Sequence, residues 1–529
     1  MTTVREAAYE LLRSRGMTTF FGNPGSTELA FLQDFPGDFD YVLGLQESSA
    51  VAMADGFAQI SRAPVLVNLH TSPGVGHAMG AIFNARANKS PLVVTAGQQA
   101  RNVITMEATL TNRDAVTLPR PLVKHSYEPP RAQDVPVALA RAIHLADTGP
   151  RGPVFLSIPM DDWEAECEEW ELRPALERKV ATRTGPDPEA LSDLAAALQA
   201  ARNPALIAGA DIDTPQAWAD AVALADTLGM AVWNAPLAAR AGFPQDHPAW
   251  QGELPAAIGF AREVLKDHDL VLVVGAPVFA YYPYVPGPFL AEGTSLVLIT
   301  DDPEEAARAP MGDAILGDAG LALSALARLT GAKPKEVPRS PRPAAPETAS
   351  PMLSGTLFSA LADVLPDDAI LALESPSNTL VFRQHVQITK PASYLFGAGG
   401  GLGFGLPAAV GAQLAAPDRR VVAVIGDGSM QYAVQALWTA VAYKAPLTIV
   451  VPRNEEYAIL KWFSEFEGVA NAPALDLPGV DNVPIAAGYG VNARRADTPD
   501  ELRAELGEAL ESGGVDLIEV PIQPGMSIE

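Results

Sequence analysis

The sequence predicts an α/β protein built from parallel sheets with both faces covered, arranged as three blocks of similar size. Two observations lead there. Along almost the whole chain, apolar runs of strand length alternate with segments of helical periodicity, the pattern of strand–helix–strand crossovers. A charged, irregular stretch (161–188) and a stretch with six prolines (333–351) interrupt the alternation, the second reading as a semi-rigid linker. Together they divide the chain at about 1–165, 189–332 and 352–529.

The totals bound the function. A chain of 529 residues, 48% hydrophobic and 19% charged, can bury several large cores. No run of about eighteen apolar residues occurs, so no membrane partner is expected. The first sixteen residues read as an amphipathic helix and not as a signal peptide. A single cysteine, Cys167, excludes an internal disulfide and fits a cytoplasmic setting; flanked by Glu166 and Glu168, it is a poor nucleophile. The net charge of −26 argues against nucleic acid or anionic lipid as a partner.

Taken in order, residues 4–16 read as a helix and 18–22 as a strand ending at Asn23-Pro24-Gly25-Ser26. A helix follows from Thr27, with Ser26 or Thr27 as its N-cap. The next strand, 41–45, ends at Gln46-Glu47 before a helix over 48–61. Strand 63–69 ends at His70, followed by a Gly/Pro loop over 71–76 and a helix starting near His77. Further strands are expected at 92–96 and 152–159. In such sheets ligands collect at the carboxyl ends of strands, and Ser26, Glu47 and His70 all fall there. The other histidines, His77 among them, show no evident partner and no metal-ligand spacing. The second block has strands at 205–208, 231–233, 270–274 and 295–299. No G-x-G-x-x-G follows any of them, so a dinucleotide fingerprint is missing.

The third block holds the stretch that organises the chemistry. An apolar run, 421–425, leads into the tight turn Gly426-Asp427-Gly428-Ser429. A helical segment follows, with Ala433, Leu437, Ala440 and Val441 on one face, and then a second apolar run, 447–451, ending before Arg453-Asn454-Glu455-Glu456. A parallel crossover brings both strand ends to one edge of the sheet, making Asp427 and Asn454 neighbours. Two hard oxygen ligands beside a glycine turn and a helix N-terminus suit Mg²⁺ and a phosphate ester. GDGS followed at this spacing by Asn resembles the diphosphate-and-metal motif of thiamine diphosphate enzymes. Arg453 stands where those enzymes usually carry a second Asn.

The resemblance extends over nearly the whole chain. FGNPGSTELAFLQDFP, LQESSAVAMADGFAQ, LVNLHTSPGVGHAMGA, LPRPLVKHSYEPP, GAPVF, EAARAPMGDAI and GGLGFGLPAA are similar to benzoylformate decarboxylases, thiamine diphosphate-dependent 2-keto acid decarboxylases. It implies three Rossmann-like domains: pyrimidine-binding (1–165), central (189–332) and diphosphate-binding (352–529). It implies that Glu47 activates the cofactor through its aminopyrimidine ring, and that Ser26 and His70 contact substrate or assist proton transfer. Leu402, after Gly399-Gly400-Gly401, matches the bulky residue that bends the cofactor. Gly426, Asp427, Gly428, Ser429 and Asn454 hold the diphosphate. Asp427, Asn454 and the backbone carbonyl of Glu456 hold Mg²⁺, or Ca²⁺ in its place. In that family Glu47 and the diphosphate motif of one site come from different subunits, which implies at least a homodimer and favours a tetramer.

Three positions depart from the resemblance. Tyr282 stands where a second active-site histidine is expected, either lending a hydrogen bond to the substrate pocket or only packing with Tyr281 and Tyr284. Ile459 replaces an alanine and narrows the pocket. Pro376, in ESPSNT, replaces a hydroxyl residue. The expected activity is decarboxylation of an aryl or bulky 2-keto acid to an aldehyde and CO₂. The alternatives are a carbon–carbon lyase or ligase related to acetolactate synthases or 2-hydroxyacyl-CoA lyases, and a cofactor-binding protein without turnover. Intact Glu47, Asp427 and Asn454 speak against the last.

Overall fold

The computed structural model describes residues 2–331, 336–337 and 349–526. It contains three six-stranded sheets, and every strand pair within them is parallel. The first sheet has the order Asp40–Leu43, Thr19–Gly22, Val65–Leu69, Leu92–Gln98, Val154–Pro159, Ser126–Tyr127. The second runs Trp250–Glu253, Ala231–Asn234, Pro204–Ala208, Leu270–Val274, Ser295–Thr300, Asp313–Leu316. The third runs Tyr394–Phe396, Ile370–Glu374, Val421–Ile425, Leu447–Arg453, Val515–Pro521, Asn492–Arg495. Interior strands such as Val421–Ile425 are buried at every position, because helices cover both faces and leave no solvent side to alternate towards.

Several expectations need correcting. The segment 161–188 is not irregular throughout: it forms the strand Glu166–Cys167, antiparallel to Thr2–Thr3, and the helix Glu169–Glu177. Neither Ser26 nor Thr27 caps a helix. Residues 26–28 form a turn, and the short helix Leu29–Leu32 has Glu28 at its N-cap without a side-chain hydrogen bond. The stretch 71–76 is no loop, since the helix runs from Thr71 to Ala87. Asp427–Met430 is already helical, and the longer helix after it spans only Ala436–Ala442. The edge strands Trp250–Glu253 and Asp313–Leu316 were not expected; neither contains a fully buried residue, so their sequences lack the apolar run of a central strand. The proline-rich stretch 333–351 lies largely outside the described residues. Among the described residues no helix is long and apolar enough to cross a membrane.

The domains meet through close backbone contact and buried charge. Helix Glu47–Ser61 of the first packs along helix Gly405–Ala415 of the third, with Gly56 against Ala408 and Gly411 against Met53. At either glycine a Cβ would collide with the opposite backbone, so only glycine permits this approach. The pairings also show that the two helices run antiparallel. Between the first and second domains, Lys89 reaches Asp211 at 2.6 Å, Glu305 at 3.2 Å and Asp301 at 3.8 Å.

Candidate active site

In the first domain, His70 follows strand Val65–Leu69 and occupies the N-cap of helix Thr71–Ala87. The next residue, Thr71, is fully buried with φ +44°, a strained setting for a β-branched side chain. That abrupt turn sets where the imidazole sits. Its Nδ1 lies 2.9 Å from Glu28 Oε2 and 3.2 Å from Thr27 Oγ1. The buried Glu28 carboxylate also accepts from Gly25 N at 2.7 Å, Thr27 Oγ1 at 2.7 Å and Gly97 N at 2.9 Å. Gly25 packs on the ring, leaving no room there for a Cβ. With Nδ1 bonded to a carboxylate, Nδ1 carries the proton and Nε2 is left as the acceptor. Ser26 lies exposed on the rim of this cluster. Glu28 went unnoticed in the sequence, where one acidic residue at the start of a helix is unremarkable.

Glu47 is the first residue of its helix, but Gln46 does the capping, its side-chain oxygen accepting from Ser48 N at 2.7 Å and Ser49 N at 3.2 Å. The Glu47 carboxylate is therefore free of cap duty. Its Oε2 lies 3.0 Å from His77 Nδ1, which corrects the expectation that His77 has no partner. Gly74, three residues before His77 on the same helix face, leaves space for the other oxygen.

In the third domain, Asp427 and the 453–456 segment do meet. Asp427 Oδ2 accepts from Glu455 N at 2.8 Å and Oδ1 from Gly428 N at 2.9 Å. Glu455 adopts φ +59°, which folds the chain back over the Asp427 turn. Asn454 Oδ1 accepts from Glu456 N at 3.3 Å. The Glu456 carboxylate is drawn away by Lys461 and by Gly525 N, leaving its backbone carbonyl as the group it can offer a metal. Burial raises the Asp427 pKa above the usual carboxylate range, the two N–H bonds opposing and the buried Glu519 nearby reinforcing it. A divalent cation beside Asp427 would offset that buried charge, so these residues fit the metal and diphosphate. Arg453 is not available to either, because its guanidinium pairs with Glu455 and lies 3.6 Å from Glu519.

Leu402 sits partly exposed in a loop held from two sides. Asn84 brackets Gly401, donating to its carbonyl at 2.8 Å and accepting from its N–H at 3.1 Å. Glu374, at the end of strand Ile370–Glu374, accepts from Gly403 N at 2.8 Å, Phe404 N at 2.7 Å and Gly405 N at 2.6 Å. Burial outweighs those three bonds and pushes its carboxyl up to about 7. Glu374 was a second residue the sequence did not announce. Pro376 opens the turn Pro376–Asn378 two residues after it, exposed and without a hydroxyl. Ile459 lies half-buried in helix Ala458–Glu467, and Tyr282 packs on Phe463 of that helix with ring centroids 5.0 Å apart. The aromatic grouping around Tyr282 therefore includes a residue of the third domain.

These groups do not all converge on one chain. Glu47 and Gly405 begin the two antiparallel helices, so they lie at opposite ends of the seam. The offset is twelve residues of helical rise, about 18 Å. Among the described residues no hydrogen bond or ion pair joins Glu47, Ser26 or His70 to the Asp427 turn or the Leu402 loop.

Three family profiles match in succession: the N-terminal TPP binding domain of thiamine pyrophosphate enzymes over residues 2–118, the central domain over 191–326, and the C-terminal TPP binding domain over 376–520. A benzoylformate decarboxylase of Pseudomonas aeruginosa is 50% identical over 525 residues, covering 99% of both chains. This chain belongs to the benzoylformate decarboxylase family. Solved structures agree. The thiamine diphosphate-dependent 4-hydroxybenzoylformate decarboxylase of Rhodococcus jostii superposes with a TM-score of 0.97 at 45% identity, covering 99% of this chain and 100% of that one. The benzoylformate decarboxylase of Polynucleobacter necessarius gives 0.97 at 44% identity over the whole of both chains. The three parallel sheets are thus the fold of the benzoylformate decarboxylase family, and the Asp427 and Glu47 clusters fall within its matched C-terminal and N-terminal cofactor-binding domains.

Proposed function

We propose that this protein is a thiamine diphosphate- and Mg²⁺-dependent decarboxylase that converts an aryl or bulky 2-keto acid to an aldehyde and CO₂. The observation that carries this reading is the closure of the 453–456 segment onto Asp427, which brings the two halves of the sequence motif together at one sheet edge. Bound thiamine diphosphate supplies the electron sink that lets a 2-keto acid lose CO₂. Asp427, Asn454 and the Glu456 carbonyl would hold the metal, Gly426–Ser429 would present backbone N–H groups and a hydroxyl to the diphosphate, and Leu402 would pack against the cofactor. Glu47 hydrogen-bonds the aminopyrimidine ring and moves a proton at its carboxylate oxygen. His70, oriented by Glu28, accepts or delivers a proton at Nε2, while exposed Ser26 hydrogen-bonds the substrate.

The separation of Glu47 from Gly405 supports a site shared between copies, each chain lending its Glu47 cluster to a partner's diphosphate loop. A homodimer is then the minimum and a tetramer a pair of such dimers. In this reading 1–165, 189–332 and 352–529 are the pyrimidine, central and diphosphate domains. A cytoplasmic setting is supported by the sole cysteine, buried with its thiol donating to the Thr2 carbonyl at 3.5 Å.

The test is CO₂ release from a panel of 2-keto acids by protein loaded with thiamine diphosphate and Mg²⁺, with the products identified. Benzoylformate should yield benzaldehyde. Absence of CO₂ from every member, or coupled 2-hydroxy ketones as the main product without added aldehyde, would overturn the assignment.

A further inference from the structure

The Glu47–His77 contact has a geometry that neither the fold nor the proposed reaction requires. Glu47 Oε2 and His77 Nδ1 are 3.0 Å apart, and the carboxylate is otherwise largely enclosed, its side chain 12% exposed against 62% for His77. Gly74 and His77 sit three residues apart on one helix face, so the same turn that makes room for the carboxylate presents the imidazole to it. One ring nitrogen meets the acid, and the rest of the ring lies open on the face of this chain that the shared-site reading turns towards a partner.

We propose that His77 is a proton carrier for Glu47, exchanging protons between its carboxylate and water in the space between the copies that share the site. This rests on the reading of Glu47 as the residue that protonates the cofactor's aminopyrimidine. When Glu47 gives up its proton, His77 Nδ1–H donates to Oε2 and Nε2 takes a proton from water. The ring changes tautomer, Glu47 is again protonated, and the ring's own proton count is unchanged. The reverse sequence removes a proton from Glu47. An imidazole does this without acquiring a lasting charge, which an amide side chain cannot do.

The test separates hydrogen bonding from proton exchange. His77→Asn keeps an N–H donor towards Glu47 but cannot exchange it at neutral pH, and His77→Ala removes both. The readouts are the rate at which the thiazolium C2 proton of bound thiamine diphosphate exchanges with deuterium, and the cofactor dissociation constant from protein fluorescence. The proposal expects C2 exchange to slow on the order of tenfold in both variants, with the dissociation constant within about threefold of wild type in His77→Asn. Wild-type exchange in His77→Asn overturns it and leaves only a hydrogen bond. Equal loss of cofactor affinity and exchange in His77→Asn also overturns it, in favour of a structural role. Glu47→Gln distinguishes the underlying reading: if that variant exchanges C2 like wild type, the assignment of Glu47 itself is what fails.

Discussion

Glu28→Gln is the most informative single change, because the carboxylate it alters is saturated with donors. One oxygen accepts from Gly25 N and His70 Nδ1, the other from Thr27 Oγ1 and Gly97 N. Glutamine keeps the shape but turns one acceptor into an NH₂ donor. Facing Gly97, the NH₂ strands a buried backbone N–H, although the Thr27 hydroxyl can turn away. Facing Gly25 and His70, it strands the other N–H and forces His70 to the opposite tautomer, with its proton on Nε2. Either orientation leaves one buried donor unpaired, at a cost of about 1–3 kcal/mol. A carboxylate is the only one of the two groups that satisfies all four donors and leaves Nε2 free. The expected result is a lower urea midpoint by that amount and a fall in kcat of about 10²-fold, with KM changing less than kcat. A variant with an unchanged midpoint and kcat within about threefold of wild type would show that Glu28 neither organises the cluster nor orients His70.

Three further outcomes follow from the geometry. Asp427→Ala should fold but lose thiamine diphosphate on dialysis, and retention of cofactor and activity in the presence of a chelator would remove Asp427 from the metal site. Ile459→Ala removes a stiff β-branched side chain and should raise kcat/KM for benzoylformate relative to a straight-chain 2-keto acid; an unchanged ratio would clear Ile459 of any part in specificity. The third is a pH effect on stability. The carboxyls of Glu374, pushed up to about 7, and Asp55, pushed up to about 6, both bind protons more tightly folded than unfolded. Their contribution is complete below the unfolded values and is lost as pH rises through 6 to 7. From pH 5.5 to 7.5 the wild type should therefore lose about 2 kcal/mol more than Glu374→Gln, measured by urea unfolding, and parallel pH profiles would contradict the buried-carboxyl account.

What the sequence made legible was whatever local pattern encodes. Leu270–Val274 has the bounds expected from its apolar run, and the strands before His70 and Asp427 end where polar residues follow apolar ones. The crossover rule brought Asp427 and the 453–456 segment together without any coordinates. What stayed hidden depends on separations that no local pattern records. Glu28 meets His70 across 42 residues, His77 meets Glu47 across 30, and Glu374 reaches Phe404 across 30. Each is an ordinary polar residue until the sheet brings its partner alongside. The helix start at Thr71 was missed for a different reason: a Thr-Ser-Pro-Gly run reads as a turn, and only tertiary packing holds Thr71 at positive φ.

The glycine seam has a consequence for redesign. Ile459 is half-buried near the start of its helix and can be exchanged for a smaller side chain at modest cost. Gly56 and Gly411 lie in the seam between the two helices, where one added methyl group at either would force two domains apart. The helices that would separate are those beginning at Glu47 and Gly405, so the displacement would reach both cofactor-binding domains. Libraries aimed at new substrates should leave these two backbone contacts alone, since they set the spacing between the first and third domains of each chain.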